Sequence, residues 1–124
     1  MFYVLFGIDM PKTVQSKADV LQGTLDLMLL RTLDSLGPQH GYAISARIEQ
    51  ISDGALQLNM GTLYPALMRL EQRALIRGKW GVTDTKRKAR YYEITASGKR
   101  QLEKEKQAWE RMAGIIHTLL YSER

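Results

Sequence analysis

The stretch NMGTLYPALMRLEQRAL, residues 59–75, decides the fold, because its apolar spacing predicts a helix and its proline restricts where that helix can begin. The leucines recur at helical spacing and predict one buried stripe, formed by Leu63, Leu67 and Leu70. Pro65 has no backbone N–H and is harmless only in the first turn of a helix. We therefore predict Thr62 as the N-cap; the alternative cap, Asn59, would put a kink at Pro65.

Two further helices are predicted upstream. Residues 21–36, LQGTLDLMLLRTLDSL, carry apolar side chains almost all the way round, which is typical of a helix inside a core. Gly37-Pro38 ends it, since glycine is a common left-handed terminator and proline cannot continue a helix. Residues 40–51 are amphipathic, with a stripe of Ile44, Ile48 and Ile51. Asp53-Gly54 breaks this helix, and Leu56-Gln57-Leu58 alternates enough to predict a short strand.

A β-hairpin with a basic loop is predicted downstream. Residues 75–80 and 90–94 are the expected strands, with a common face formed by Ile76, Gly78, Trp80, Tyr92 and Ile94. The stretch TDTKRKARYY, residues 83–92, puts four cations into five positions: Lys86, Arg87, Lys88 and Arg90. Such a run is usually only a solvated turn. Whether the loop, expected at residues 81–89, binds a polyanion therefore has to be inferred from the helices and strands predicted around it.

The last 29 residues predict one long helix. Leu102, Trp109 and Ile116 recur every seven residues, and Met112 and Leu119 fill the intermediate positions, which is the period of a helix that pairs with another helix. A body of this size cannot cover so long an apolar stripe by itself. We expect a second copy to cover it and the protein to be a homodimer.

The order helix, helix, short strand, helix, strand, basic loop, strand is that of a winged helix-turn-helix. The predicted fold is mainly α with a small β-hairpin, plus a C-terminal dimerisation helix. We expect a flexible N-terminal extension over residues 1–19, a DNA-binding domain over residues 20–95 and the dimerisation helix over residues 96–124. In this fold the third helix enters the major groove and the wing lies along the backbone.

Composition allows this interpretation. The chain has 124 residues, enough for one domain, and a net charge of +5, which favours a polyanionic partner but also suits a solvated surface. It has no cysteine, which excludes a disulfide framework and fits a reducing, cytoplasmic location. The opening MFYVLFGIDM has neither the features of a signal peptide nor the length of a membrane span. Met10 rather than Met1 is the expected natural start.

The expected DNA contacts fall into two groups. Lys86, Arg87, Lys88 and Arg90 are expected to bind phosphates. On the third helix, Arg69 either bonds to guanine or phosphate or is merely solvated, and the Tyr64 ring either packs on the body or approaches sugar and base. Asn59 and Thr62 are expected to be caps, with phosphate contact as a second use. These alternatives stay open on sequence alone.

Catalysis has little support. His40 and His117 lie far apart without the spacing of metal ligands, and Gly98-Lys99-Arg100 lacks the rest of a phosphate-binding loop. We expect no enzyme, no cofactor and no metal. Trp109 either packs the dimer or walls a pocket for a planar apolar molecule.

Four segments together resemble the PadR family of bacterial transcriptional regulators over residues 20–120. They are LQGTLDLMLLRTL, HGYAISARI, GTLYPALMRLEQRALI and KARYYEITASGKRQL. The short C-terminal part, a single helix, is similar to the smaller PadR subfamily. One departure is the loop Thr83–Arg87, where many relatives carry Gly-Gly-Arg.

The resemblance implies a homodimeric winged-helix repressor that binds double-stranded DNA at a palindromic operator, with half-sites about 34–36 Å apart. It also implies that a small apolar effector would bind between the subunits, at Trp109, Met112, Ile116 and Leu21. Whether an effector exists stays open. Two other hypotheses remain: a protein-interaction adaptor with a winged-helix shape, and a sink for apolar drugs at Trp109.

Overall fold

The computed structural model describes residues 13–123, with side chains from Gly23 onward. It confirms a mainly α winged-helix fold, built from four helices and three short strands. In chain order these are α1 (Thr13–Leu36), β1 (Gln39–His40), α2 (Gly41–Ile51), α3 (Met60–Gln72), β2 (Ile76–Val82), β3 (Lys88–Ile94) and α4 (Ala96–Tyr121). The choice between Met1 and Met10 lies outside the described residues.

Helix α1 begins earlier than predicted. Part of the extension expected to be flexible over residues 1–19 is helical from Thr13 onward, because residues 13–19 contain neither glycine nor proline and nothing in them stops a helix. The helix ends where predicted: Gly37 adopts φ +80°, and its N–H donates to the Leu33 carbonyl at 2.9 Å. The face of α1 toward the core is buried at Leu25, Leu29, Leu30 and Leu33.

Helix α2 buries Ile44 and Ile48 as predicted, but Ile51 is 69% exposed. Ile51 is the last residue of the helix, and the chain turns away at Asp53 with φ +58°. The buried leucines of α3 confirm the predicted stripe: Leu63, Leu67 and Leu70 are fully buried. One core therefore joins α1, α2 and α3.

The short strand lies elsewhere than predicted. Residues 56–58 form no strand; instead Gln39 pairs with Tyr92 and His40 with Tyr91, at the free edge of β3. Leu58 has another use, since its side chain is buried and its carbonyl accepts a hydrogen bond from the Ser45 hydroxyl at 2.9 Å. That contact holds the loop before α3 against α2.

Asn59, not Thr62, is the N-cap of α3, so the predicted cap is wrong. The Asn59 side chain accepts a hydrogen bond from the Thr62 N–H at 2.9 Å. Pro65 then lies inside the helix, where its missing N–H leaves the Gly61 carbonyl without its usual partner. The helix nevertheless continues unbroken from Met60 to Gln72.

The three strands form one antiparallel sheet in the order β1-β3-β2. The β2–β3 register pairs Ile76 with Ile94, Gly78 with Tyr92 and Trp80 with Arg90, which confirms the predicted common face. Both strands are longer than predicted. The hairpin connection, which we call the tip, therefore covers residues 83–87 rather than 81–89; we call the whole hairpin the wing.

Helix α4 is joined to the rest of the fold through Thr95. The Thr95 hydroxyl donates to the Ala74 carbonyl at 2.7 Å and accepts from the Gly98 N–H at 3.0 Å, while the Thr95 N–H donates to the Leu75 carbonyl at 3.1 Å. One residue thus ends β3, caps α4 and holds the chain segment that follows α3. Over residues 13–123, no helix has both the length and the apolar character that a membrane crossing requires.

Candidate nucleic-acid interface

An open cleft of about 900 Å³ lies between the wing and the first turns of α2 and α3. We call it the wing cleft. Its walls combine aromatic rings with cations, among them His40, Tyr42, Tyr64, Trp80, Arg87 and Lys88. A surface of this composition can bind a chain of phosphates through its cations and an apolar or planar group through its rings.

The tip is a tight turn built from its own polar groups. The Lys86 N–H donates to the Thr83 carbonyl and the Thr83 N–H to the Arg87 carbonyl, both at 2.8 Å. The Arg87 N–H also donates to the Thr83 hydroxyl at 3.2 Å. Lys86 adopts φ +63°, a conformation that favours glycine. The side chains of Lys86 and Arg87 are exposed at this turn.

Three of the four predicted cations of the wing are free of ion pairs. Within the part of the chain with described side chains, no carboxylate pairs with Lys86, Arg87 or Lys88. Their charges are therefore available to a partner. Lys88 lies beside an indole, with its Nζ 5.8 Å from the centre of the Trp80 ring.

Arg90 differs from the other three because it is engaged inside the fold. Its Nη2 donates to Glu71 Oε2, near the end of α3, at 2.6 Å. Its guanidinium lies over Gly78, where a Cβ would come within 2.5 Å of Arg90 Nε, and 5.7 Å from the Trp80 ring centre. Arg90 therefore clamps the wing to the end of α3.

Tyr64 lies where the wing cleft meets α2. Its ring packs on Gly41, at the first residue of α2, where a Cβ would come within 3.0 Å of the hydroxyl oxygen. The residue is still 43% exposed and lines the wing cleft. The Tyr64 ring therefore packs on the body of the protein and is also accessible to a partner, although these two roles are alternatives on sequence alone.

Arg69 lies apart from the wing cleft. Its Nη2 donates to Asp26 of α1 at 3.3 Å, and Arg73 Nη1 lies 3.9 Å from the same carboxylate. Burial raises the pKa of Asp26 and outweighs the lowering effect of Arg69. Arg69 thus ties α3 to α1.

The remaining predicted residues fall into two places. Asn59 caps α3 and Thr62 only donates its backbone N–H to the Asn59 side chain, so one of the two expected capping residues acts as a cap. Trp109, Met112 and Ile116 are each about half exposed along α4. Leu21 lies in α1, but its side chain is outside the described ones. Whether the four residues predicted to bind an effector lie together therefore stays a prediction.

Sequence reasoning missed two aromatic residues of the wing cleft. Trp80 is 62% exposed and Tyr42 is 74% exposed. Strand alternation had already put Trp80 on one face with Tyr92, so its position beside Arg90 was recoverable once the strands were paired. Tyr42 carried no comparable signal, because only the tertiary fold brings the start of α2 to the wing.

Comparison with known proteins identifies what the chain resembles. A family model described as the transcriptional regulator PadR-like family matches residues 29–104. An uncharacterized 37.1 kDa protein in transposon TN4556 of Streptomyces fradiae is 41% identical over 80 residues, which are 64% of this chain. The match spans only 21% of that curated relative's length.

Solved structures cover more of the chain. A transcriptional regulator from Clostridium thermocellum is 32% identical with a TM-score of 0.73, covering 81% of this chain and 96% of that one. A PadR-like transcriptional regulator from Bacillus cereus is 30% identical with a TM-score of 0.72, covering 85% and 99%. A PadR family transcriptional regulator from Eggerthella lenta is 28% identical with a TM-score of 0.70, covering 90% of this chain and 95% of that one.

Proposed function

The chain belongs to the PadR-like family of transcriptional regulators, and from this premise we propose that it is a repressor that binds duplex DNA as a homodimer. Its operator is a palindrome with half-sites about one helical turn, roughly 34–36 Å, apart. Its function is binding rather than catalysis, in the cytoplasm with the DNA it regulates. No cofactor enters the proposal.

The unpaired cations of the wing carry this proposal. Arg87 and Lys88 line the wing cleft, Lys86 is exposed beside them in the tip, and no ion pair within the described side chains neutralises any of the three. Cations left free in this position suit a polyanion, because each phosphate that they neutralise releases condensed counterions. Arg90 acts differently: it holds the wing against α3, so it positions the phosphate contacts rather than making one.

Base contacts in the proposal come from the start of α3. Tyr64 is exposed in the wing cleft and approaches sugar and base, while Asn59 and Thr62 lie at the N-terminus of α3, where a phosphate is favoured. Arg69 reaches DNA only by leaving Asp26, so we assign it to phosphate contact or to support of α3. The chemistry of this surface supports recognition by shape and backbone as well as by base edges.

Dimerisation is assigned to α4. Beyond Leu102, the helix exposes an apolar face that the described part of this subunit leaves uncovered: Trp109, Met112, Ile115, Ile116, Leu119 and Leu120. Burying such a face against a second copy removes apolar surface from water and sets the separation of the two wings. We place a small apolar effector, if one controls release, between the two copies at Trp109, Met112, Ile116 and Leu21.

Selection of bound fragments from random duplexes tests the proposal. We expect an inverted repeat whose half-site centres are about 10–10.5 base pairs, or a multiple of that spacing, apart. Recovery of unrelated fragments with salt-independent affinity would contradict it and favour a protein-interaction adaptor. Repression is tested separately, with a reporter placed behind the recovered repeat.

A further inference from the structure

Trp80 is a large apolar side chain that the described fold leaves open to solvent. It lies in the middle of the wing, lines the wing cleft and is 62% exposed. The strand pairing fixes its position, since Trp80 is directly opposite Arg90 in the β2–β3 register. An exposed indole at a fixed place in a charged cleft is suited to contact a partner.

The charges beside the ring narrow the chemistry of that partner. Lys88 Nζ and Arg90 Cζ lie 5.8 and 5.7 Å from the ring centre. Glu71 neutralises Arg90, whereas Lys88 has no carboxylate partner among the described side chains. The site therefore combines one free positive charge with one apolar ring. A deoxyribose with its phosphate has the complementary pair of features, an apolar face next to one negative charge.

We infer that Trp80 is a DNA-contact residue whose ring packs on a deoxyribose of the duplex backbone while Lys88 binds the adjacent phosphate. This inference rests on the proposed function and assigns a contact within it. Trp80 lies two residues before the end of β2, behind the tip. Its ring is therefore a surface for the backbone, and not a wedge that enters the base stack.

The chain offers a direct spectroscopic test, because it contains only two tryptophans, Trp80 and Trp109. In a Trp109→Phe variant, Trp80 is the single fluorophore. Acrylamide quenching is measured with the free protein, with a saturating random-sequence 30-base-pair duplex at low salt, and with inorganic polyphosphate, which supplies charge without sugar. We expect the duplex to lower the quenching constant of Trp80 at least twofold and polyphosphate to leave it nearly unchanged.

Affinity gives the second measurement. We expect Trp80→Ala to weaken duplex binding roughly tenfold, the lower part of the range for losing one aromatic contact with a nucleic acid, and Trp80→Phe to weaken it less. Ile51→Ala is the matched control, because Ile51 is exposed to a similar degree, 69%, but does not line the wing cleft, and the variant should bind as wild type. Circular dichroism establishes that each variant is folded. If Trp109→Phe disrupts the protein, the difference in quenching between wild type and Trp80→Phe replaces it.

The outcomes separate the inference from the proposed function. A wild-type protein that binds no duplex contradicts both. Duplex binding with unchanged acrylamide access to Trp80, or with wild-type affinity in Trp80→Ala, overturns the inference alone. If polyphosphate lowers the quenching of Trp80 as much as the duplex does, the inference is also overturned, since negative charge without a sugar would then be enough to cover the ring. Lengthening or kinking of the bound duplex that Trp80→Ala abolishes would replace the sugar contact with intercalation.

Discussion

At the scale of single residues, the left-handed backbone of Ala74 follows from how α3 ends. Ala74 adopts φ +60°, the Leu75 N–H donates to the Leu70 carbonyl, and the Ala74 N–H donates to the Glu71 carbonyl, each at 2.9 Å. These two bonds define a Schellman termination, which usually has glycine at this position. The chain therefore carries backbone strain just beyond the end of α3.

Ala74→Gly should stabilise the protein by about 1 kcal/mol, because glycine adopts this conformation without the steric cost of a Cβ. Denaturant unfolding measures the change. Ala46→Gly is the matched control, since Ala46 is an exposed residue inside α2 and the same substitution there should cost about 1 kcal/mol. Equal effects of the two substitutions would contradict the strain argument.

Asp26 should make stability depend on pH. Burial raises its pKa above the ordinary value of 3.8, so the folded state takes up a proton more readily than the unfolded state. Stability relative to an Asp26→Asn variant should therefore increase as pH falls from neutral toward 3.8, with the full gain below that value. Unfolding curves of both proteins across this range measure it. A relative loss on acidification would mean that Arg69 and Arg73 outweigh burial.

Residue roles could be predicted from sequence only where the relevant neighbour is close along the chain. The free cations at Lys86 and Arg87 could be recognised because the loop itself concentrates them. The engagement of Arg69 could not, because Asp26 is 43 positions away and only the packing of α3 on α1 brings them together. The ion pair of Arg90 with Glu71 could not be predicted for the same reason, because the two residues are 19 positions apart.

At the scale of elements, Gly98 fixes how closely α4 approaches the chain after α3. A Cβ at Gly98 would clash with the Leu75 carbonyl oxygen and lie 2.7 Å from Ile94 Cγ1. Since backbone atoms line the contact, no side-chain rotation can relieve it. The absence of a side chain at Gly98 is thus a condition for docking this helix.

Gly98→Ala should destabilise the protein by on the order of 3 kcal/mol, the range of severe overpacking. Gly114→Ala, in the same helix, should instead stabilise it by up to about 1 kcal/mol, since nothing lies within 4 Å of the added Cβ. Thermal or denaturant unfolding measures both. A mild effect at Gly98 would show that α4 can shift away from Leu75 at little cost.

Helices were more predictable than their boundaries. Periodicity located the four helices of residues 13–123, because each carries apolar side chains at helical spacing whether or not this subunit buries them. The predicted N-cap, Thr62, is wrong because α3 accommodates Pro65 in its interior. The helix can therefore begin earlier, after Asn59, whose side chain is a good N-cap. The two residues of β1 have no pattern of their own, and only the free edge of β3 makes them a strand. Such features depend on partners that sequence periodicity does not contain.

At the scale of the whole molecule, the proposed function depends on the position of charge relative to the dimer. The net charge is +5; the tip carries cations without ion pairs among the described side chains, and the apolar face that the described residues leave exposed lies along α4. A dimer formed through α4 would double the cations that reach one duplex. Its affinity should therefore depend more steeply on salt than that of a single subunit.

With two or three phosphate contacts per subunit, the logarithmic salt slope of a dimer should be about −4 to −5, and affinity should fall by roughly two to three decades between 50 and 200 mM salt. Leu119→Glu should dissociate the dimer and halve the slope. Sedimentation and binding titrations measure both. Gln107→Glu adds the same charge at another exposed position of α4, away from the apolar stripe, and should leave both properties near wild type. A monomeric wild-type protein would contradict the assembly.

The junction at Thr95 has a consequence for recombination among related genes. Thr95 joins β3, α4 and the segment after α3 with no intervening linker. The rotation of α4 about its own axis is therefore fixed relative to the winged-helix domain. Inserting one residue between Ile94 and Ala96 would rotate α4 by about 100° about its axis, so its apolar stripe would face a different direction. A winged-helix domain from one relative can therefore be joined to the α4 of another at this threonine only if the number of residues across the junction is preserved.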